Sequence, residues 1–327
     1  MRILVVDDYQ DAVRHLSCFH RLLGHRVQVL TAPSPDPDTL VRHAGEAEAL
    51  VLIRERTRID TALLARLPSL RLISQTGRIG EHIDLAACTT RGVAVAEGVG
   101  SPVAPAELTW ALLMAASRRL PAYRDALLTG RWQATGDAGL GRSLEGLTLG
   151  VWSYGKIGRR VAAYGRAFGM RVQVWGGEDT CAHARADGFE IAASRAALFA
   201  DSDVLSLHRR LVAATRHQIV LDDLLRMKPD ALLVNTSRAE LLAPGVLLAA
   251  LAAGHPGQAA LDVFEQEPLL DPQHPLLRHP QVLATPHLGY VEQSSYELYF
   301  GAAFDNVLAF AAGAPQHLAN PEVLTQG

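Results

Sequence analysis

Four short stretches carry the residue types from which catalysis is built. The first, GVWSYGKIG (150–158), places Gly155 and Gly158 between an apolar run and a helical pattern. That is the setting of a dinucleotide-binding turn, G-x-G-x-x-G. Its glycines let the backbone approach a pyrophosphate, and the helix that follows offers free N–H groups and its positive dipole end. Ser153 stands where the first glycine belongs. The stretch therefore reads in two ways. Either Ser153, Tyr154, Gly155, Lys156, Ile157 and Gly158 form a cofactor turn with one altered residue, or they join strand to helix and nothing more. The ribose end of such a ligand is read about 20 residues on, where an acid bonds the hydroxyls. Here the next strand ends VWGGED, with Gly176 at that position, Gly177 beside it and Glu178 two residues later. Without an acid at Gly176 a ribose 2′-phosphate is not repelled. A basic residue, Arg209 or Arg210, would then have to hold it, so both NAD and NADP stay open.

The other three stretches each fall near the end of an expected strand. VNTSRAEL holds Arg238, DVFEQEP holds Asp262 and Glu267, and ATPHLGY holds His287. Open α/β sheets place their chemistry at strand ends. Each motif also has a bland reading. Asn235 or Ser237 could cap the next helix, the acidic run could be a solvated loop, and one of 13 histidines could lie idle on the surface. Their order after a dinucleotide turn is what makes the set specific.

These residues need a scaffold, and the chain supplies one. Apolar runs at 2–6, 26–30, 49–53 and 70–74 alternate with helical patterns, for example Val13, Leu16 and Leu22. A second series lies at 147–152, 170–175, 203–207, 231–235, 258–263 and 281–285. Such alternation means parallel sheets with helices on both faces. The expected fold class is α/β, with two doubly wound parallel-sheet domains: a flavodoxin-like substrate domain and a Rossmann dinucleotide-binding domain, with a cleft between them. GVGSPVAP (98–105) has a hinge composition. A long helix is expected over 106–120 and a last one over about 291–312. The expected division is 1–100 plus 289–327 for the substrate domain and 101–288 for the dinucleotide domain.

Composition narrows the function classes. Of 327 residues 49% are hydrophobic, enough for sizeable cores. The formal net charge of −3 makes nucleic acid and anionic membrane poor partners. The N-terminal apolar run is ended by Asp7 and Asp8, so it does not read as a signal peptide, and no span of about 18 apolar residues occurs. Cys18, Cys88 and Cys181 form neither a disulfide framework nor a zinc pattern. No metal is expected, and a reducing cytoplasm fits.

Taken together the motifs resemble the D-isomer-specific 2-hydroxyacid dehydrogenases, closest to the D-3-phosphoglycerate dehydrogenase-like branch. The resemblance covers nearly the whole chain, through IRERT (53–57), SQTGRIGEHIDLAAC (74–88), AELTWAL (106–112), LGVWSYGKIGRRVA (149–162), MKPDALLVNTSRAEL (227–241), DVFEQEP and TPHLGY. It implies that His287 is the general acid/base on the substrate hydroxyl, oriented by Glu267, which favours the protonated imidazole. Arg238 would bind the substrate carboxylate and polarise the keto oxygen. Asp262 would meet the nicotinamide carboxamide, and Gly176, Glu178, His208, Arg209 and Thr236 would line the rest of the cofactor. Backbone N–H groups around Arg78 and Ile79 would hold the substrate carboxylate from the other domain. Arg54, with Arg56, matches a basic pair that suggests an anionic substrate tail; the bland alternative is an ion-paired surface run.

The chain departs from the family pattern at Ser153, Gly176, Ala239, Arg210 and Tyr290. Tyr290 reads equally as a substrate-facing residue or as packing for the last helix. The chain ends soon after its last helix, so the regulatory domain of some phosphoglycerate dehydrogenases is not expected. The implied activity is hydride transfer between NAD or NADP and a small D-2-hydroxyacid or 2-ketoacid, such as D-3-phosphoglycerate, glyoxylate or hydroxypyruvate, by a cytoplasmic homodimer. The alternatives are a dinucleotide-sensing corepressor-like protein and an enzyme degenerate in cofactor binding.

Overall fold

The computed structural model describes residues 1–33, 36–136 and 139–325. They fall into two units, Met1–Ser101 with Val291–Gly327, and Pro102–Tyr290. Each is a parallel sheet between helices whose central strands are buried on both faces and so read as apolar runs, while the edge strands Arg26–Val29, Glu190–Ile191 and Val282–Ala284 are partly exposed.

In unit 1 the strands are β1 (Arg2–Val5), β2 (Arg26–Val29), β3 (Ala49–Leu52), β4 (Leu72–Gln75) and β5 (Ala94–Ala96), in the order β2-β1-β3-β4-β5. β5 is a three-residue strand, too short for its periodicity to show in the sequence. The helix Gln293–Ala311 lies on this sheet, where the Ser74 hydroxyl donates to the Ala303 carbonyl at 2.8 Å. Phe300 and Phe304 on that helix are buried. The spacing of Val13, Leu16 and Leu22 is not one α-helix. It is two 3-10 turns, Val13–His15 and Ser17–Leu22, with Leu16 extended between them. Side chains impose this: the Asp8 carboxylate takes the Ala12 and Val13 N–H groups, and Glu297 takes those of Ser17 and Cys18. The helix is displaced by partners distant in sequence.

Unit 2 has seven strands: β6 (Thr148–Trp152), β7 (Arg171–Trp175), β8 (Glu190–Ile191), β9 (Val204–Leu207), β10 (Leu232–Asn235), β11 (Gln258–Leu261) and β12 (Val282–Ala284). Their order is β12-β11-β10-β9-β6-β7-β8, all parallel, so the chain reverses its direction of travel between β6 and β9. One face of the sheet is covered by the helices Val103–Ser117 and Lys156–Ala167, which bury Leu112, Leu113, Val161 and Ala162. The other buries Trp152, Leu198, Phe199 and Leu205, with the Trp152 and Phe199 rings edge to face at 5.4 Å. Each such side chain contributes about 1.5–3 kcal/mol on burial. The helix expected over 106–120 starts earlier, at Val103, and stops at Ser117. Arg119 adopts a left-handed conformation and a second helix, Leu120–Leu128, begins with Pro121 in its first turn. Proline cannot continue a helix from within, but it fits a helix start.

Candidate active site

The turn after β6 is the natural starting point, because it lies at the reversal of strand order where open sheets bind ligands. Ser153 has φ +82°, a left-handed conformation that costs a non-glycine residue about 1–2 kcal/mol. It is held by its N–H, which donates to the Trp175 carbonyl at 2.8 Å. Gly158 is a packing requirement: a Cβ there would stand 2.2 Å from the Ser153 carbonyl oxygen. Gly155 is different. Its backbone is extended and a Cβ would meet nothing within 4 Å, so neither conformation nor protein packing demands glycine. It caps the helix Lys156–Ala167 without a side-chain hydrogen bond. An open cradle at an uncapped helix N-terminus fits the pyrophosphate of a dinucleotide. Lys156 is exposed at the same end, and Ile157 packs on the core. The Tyr154 side chain points away from the open turn. The ring is buried against Phe189 and its hydroxyl donates to Asp187 at 2.8 Å; burial and that carboxylate push its pKa up to about 12. Only its backbone belongs to the turn.

Beside the turn, β7 ends at Gly176, where a Cβ would lie 2.5 Å from the Thr180 methyl carbon. The place of the usual acid is therefore filled by a neighbour. Glu178 is exposed in the first turn of the helix Glu178–Ala186. On the other flank, His208 follows β9 and its ring Nε2 lies 2.9 Å from the Ser206 hydroxyl. Burial pushes the imidazole down to about 4, so it is neutral at pH 7. Arg209 comes next. Its Nε is buried without a partner, and burial and the nearby Arg195 charge push its pKa down.

The residues expected to carry the chemistry come from the ends of β10, β11 and β12. Asn235 is buried; its side chain accepts from the Ser237 N–H at 3.1 Å and donates to the Arg238 carbonyl at 2.9 Å. The Ser237 hydroxyl donates to the Arg209 carbonyl. These residues shape the loop that carries Arg238, rather than capping a long helix. Arg238 Nη1 donates to the Ser237 carbonyl at 2.7 Å. Thr109 donates to the Pro105 carbonyl, so in its 2.6 Å contact with Thr236 the proton is supplied by Thr236. The Thr236 hydroxyl is thereby tied to the helix Val103–Ser117, a constraint invisible in the motif.

His287 has φ +52° and sits 2.5 Å through Nδ1 from Glu267 Oε2. Glu267 Oε1 accepts the Phe264 N–H at 2.9 Å. Burial acts to raise the Glu267 carboxyl, but the His287 hydrogen bond and charge, the Phe264 N–H and the Arg238 charge outweigh it and hold Glu267 below its ordinary value. An ionised carboxylate only accepts, so the proton between the two rests on Nδ1 and Nε2 is left for exchange with a ligand. His287 and Glu267 are thus in direct contact, and the Arg238 charge acts on the same carboxylate. Asp262 is fully buried, and its oxygens accept from the Thr285 hydroxyl at 2.6 Å and the Leu288 and Gly289 N–H groups at 2.7 and 2.8 Å. Burial pushes this carboxyl up, against those bonds and the His287 charge. Its work here is to clamp the loop that carries His287. No motif could show that, because two of its three donors are backbone N–H groups brought in after a neighbouring strand. Tyr290 is buried and meets the His287 ring edge-on, centroids 5.5 Å apart.

Arg54, Arg78 and Ile79 belong to unit 1. Arg54 has φ +55°, and its Nη1 would lie 2.3 Å from a Cβ on Gly77, so its guanidinium rests on the backbone of the TGRIG loop. Arg78 is exposed and pairs with Glu97 at 2.6 Å. The Ile79 N–H donates to the same carboxylate at 3.0 Å, so in this structure it is already engaged. Arg56 donates to the Asp7 carbonyl and lies over the Tyr9 ring at 4.4 Å. The cysteines are buried and unpaired. Among the described residues no group of three or more His, Cys, Asp or Glu side chains could hold a metal, and no helix is long and apolar enough to cross a membrane.

Comparison with known proteins adds the following. The family described as D-isomer specific 2-hydroxyacid dehydrogenase, NAD binding domain, matches residues 110–289. A glyoxylate reductase of Aeropyrum pernix is 37% identical over 313 residues, which is 91% of this chain and 90% of that protein. A D-3-phosphoglycerate dehydrogenase of Mycobacterium tuberculosis is 36% identical over 82% of this chain, which spans about half (50%) of that protein's length. Among solved structures, an oxidoreductase from Ralstonia solanacearum has 54% identity and a TM-score of 0.97, covering 99% of this chain and 98% of its own.

Proposed function

The chain belongs to the D-isomer specific 2-hydroxyacid dehydrogenase family, and from that premise we propose that it interconverts a small 2-ketoacid and its D-2-hydroxyacid with NAD or NADP. The observation that carries this reading is the 2.5 Å His287–Glu267 pair, in the same unit as the dinucleotide turn. Glyoxylate and hydroxypyruvate are the substrate candidates tested first, with D-3-phosphoglycerate beside them.

In this reading Ser153, Gly155, Lys156 and Gly158 hold the pyrophosphate. Gly176, Glu178, His208 and Arg209 surround the ribose, and Thr236 and Asp262 support the nicotinamide end. The bound nicotinamide supplies or accepts a hydride at substrate C2. In the reductive direction His287 Nε2 gives its proton to the keto oxygen, and in the oxidative direction it takes that proton back. Glu267 keeps Nδ1 protonated and the ring oriented, and stabilises the imidazolium that the exchange requires. Arg238 binds the carboxylate and draws electron density from the keto oxygen, which its planar fork suits. Tyr290 fixes the His287 ring.

The test is oxidation of NADH and NADPH with a panel of 2-ketoacids. Turnover is expected with at least one, and His287→Ala should lower it roughly 10²–10⁴-fold. No turnover across the panel with either cofactor would refute the proposal. A homodimer in the cytoplasm completes it, supported by the exposed Leu127, Leu128, Trp132 and Leu140, which are 58–86% exposed in the single chain, and by the unpaired cysteines.

A further inference from the structure

We infer that the guanidinium of Arg209 is the receptor for the 2′-phosphate of NADP, and that the protein prefers the phosphorylated dinucleotide. The inference rests on the dehydrogenase reading and deepens it.

Four observations converge. First, the arginine lacks a partner. Among the described residues its guanidinium makes no hydrogen bond or ion pair that accounts for it, and its Nε is buried and orphaned. Second, the charge that acts on it is of the same sign. Arg195 is near enough to depress Arg209, and is itself committed to Asp223 at 2.5 Å and to the Gln218 carbonyl. A half-buried cation beside another cation is an unfavourable arrangement in the free protein unless an anion completes it. Third, the location is right. Trp152 pairs in register with Trp175 on one side and Leu207 on the other, so Gly176 and His208 flank Ser153 at one edge of the sheet. Two strand spacings put those flanks about 10 Å apart, and Arg209 follows His208 on one of them. Fourth, the residue that would repel a phosphate is missing. Gly176 has no side chain, and its space is filled by Thr180, a hydroxyl-bearing residue, so an acid cannot be accommodated there without displacing it.

The charges near this edge do not overturn the argument. His208 is neutral at working pH, being pushed down to about 4. Glu178 and Asp179 are exposed at the start of their helix, where solvent screens them. Arg210 is exposed on the same loop and adds to the positive field. A phosphate monoester carries close to two negative charges above its second pKa, about 6, and accepts the forked donors of a guanidinium.

The experiment is a fluorescence titration of the purified full chain with NADPH and with NADH, repeated with 2′,5′-ADP and 5′-AMP as competitors that carry no nicotinamide. NADPH is expected to bind at least tenfold more tightly than NADH, and 2′,5′-ADP to compete at least tenfold better than 5′-AMP. Both ratios should shrink as pH falls below about 6, where the phosphate gains a proton. Arg209→Gln should lose most of the preference while changing NADH affinity less than threefold. Arg209→Lys should restore part of it. Removing an unpaired half-buried cation should leave the thermal midpoint of the glutamine variant equal or higher. Equal or tighter binding of NADH by the unaltered protein would overturn the inference. So would an Arg209→Gln variant that weakens both dinucleotides alike, since the guanidinium would then serve a part that they share. Binding of neither dinucleotide would refute the cofactor reading beneath it, an outcome distinct from a wrong preference.

Discussion

Ser153 and His287 are both non-glycine residues with positive φ, and both lie where function concentrates. Strain of this kind persists only when the surroundings over-determine it. At Ser153 the holding contact is the Trp175 carbonyl, and at His287 it is the Asp262 clamp on the next two N–H groups. Ser153→Gly should therefore raise the thermal midpoint by an amount corresponding to about 1 kcal/mol and tighten dinucleotide binding, without changing which 2-ketoacid is used. Weaker binding in that variant would show that the serine hydroxyl is itself a ligand. Glu267→Gln acts on charge instead. The carboxyl lies below its ordinary value of 4.5 in the folded chain. Its contribution is therefore present above that pH and is lost as pH falls through the folded value. The variant should be less stable by roughly 1–2 kcal/mol at pH 7, with the gap closing as pH falls below the ordinary carboxyl value of 4.5 and through the lower folded one. A gap that persisted in acid would mean that packing, not charge, is what Glu267 contributes. His287 was legible as a residue. The atom it uses was not, since only the position of Glu267 shows which ring nitrogen is free.

The two glycines of the cofactor turn look alike as letters and differ as elements. Gly158 admits the Ser153 carbonyl, while Gly155 faces open space. Gly158→Ala should disrupt the strand–turn–helix itself, lowering both the thermal midpoint and dinucleotide affinity. Gly155→Ala should leave the midpoint unchanged and weaken dinucleotide binding at least tenfold, because its methyl occupies the space through which the pyrophosphate approaches. Equal midpoint losses in the two variants would remove the distinction. Element boundaries followed the same division between local and distant causes. Most strands were legible because buried parallel strands are largely apolar, but the short β5 (Ala94–Ala96) and β8 (Glu190–Ile191) were not. The 3-10 turns at Val13–His15 and Ser17–Leu22 were not, because the Asp8 carboxylate takes the N–H groups at the first and Glu297, from the other end of the chain, those at the second.

At the scale of the molecule, the two α/β units follow from the alternation of apolar runs and helical patterns, and the family from motifs strung along both. The exposed side chains of Leu128, Trp132 and Leu140 are 69%, 77% and 86% accessible in the single chain. Light scattering is expected to give twice the mass of the 35.2 kDa chain. Trp132→Glu should shift the species toward monomer, since burying a new carboxylate at an apolar interface is costly. A monomeric parent protein would refute the dimer.

By itself the sequence determined the fold class, the strand–turn–helix at 150–158 and the family, because each depends on residue type and short-range spacing. Only the tertiary structure decided what those residues are bound to. Tyr154 turned into the core, Asp262 became a clamp on the His287 loop, and the Ile79 N–H was taken by Glu97. The left-handed turn at Ser153 and the unpaired state of Arg209 were likewise set there. Hydrogen-bond partners and desolvation are properties of neighbours in space, and parallel strands joined by crossovers make neighbours of residues far apart in the chain.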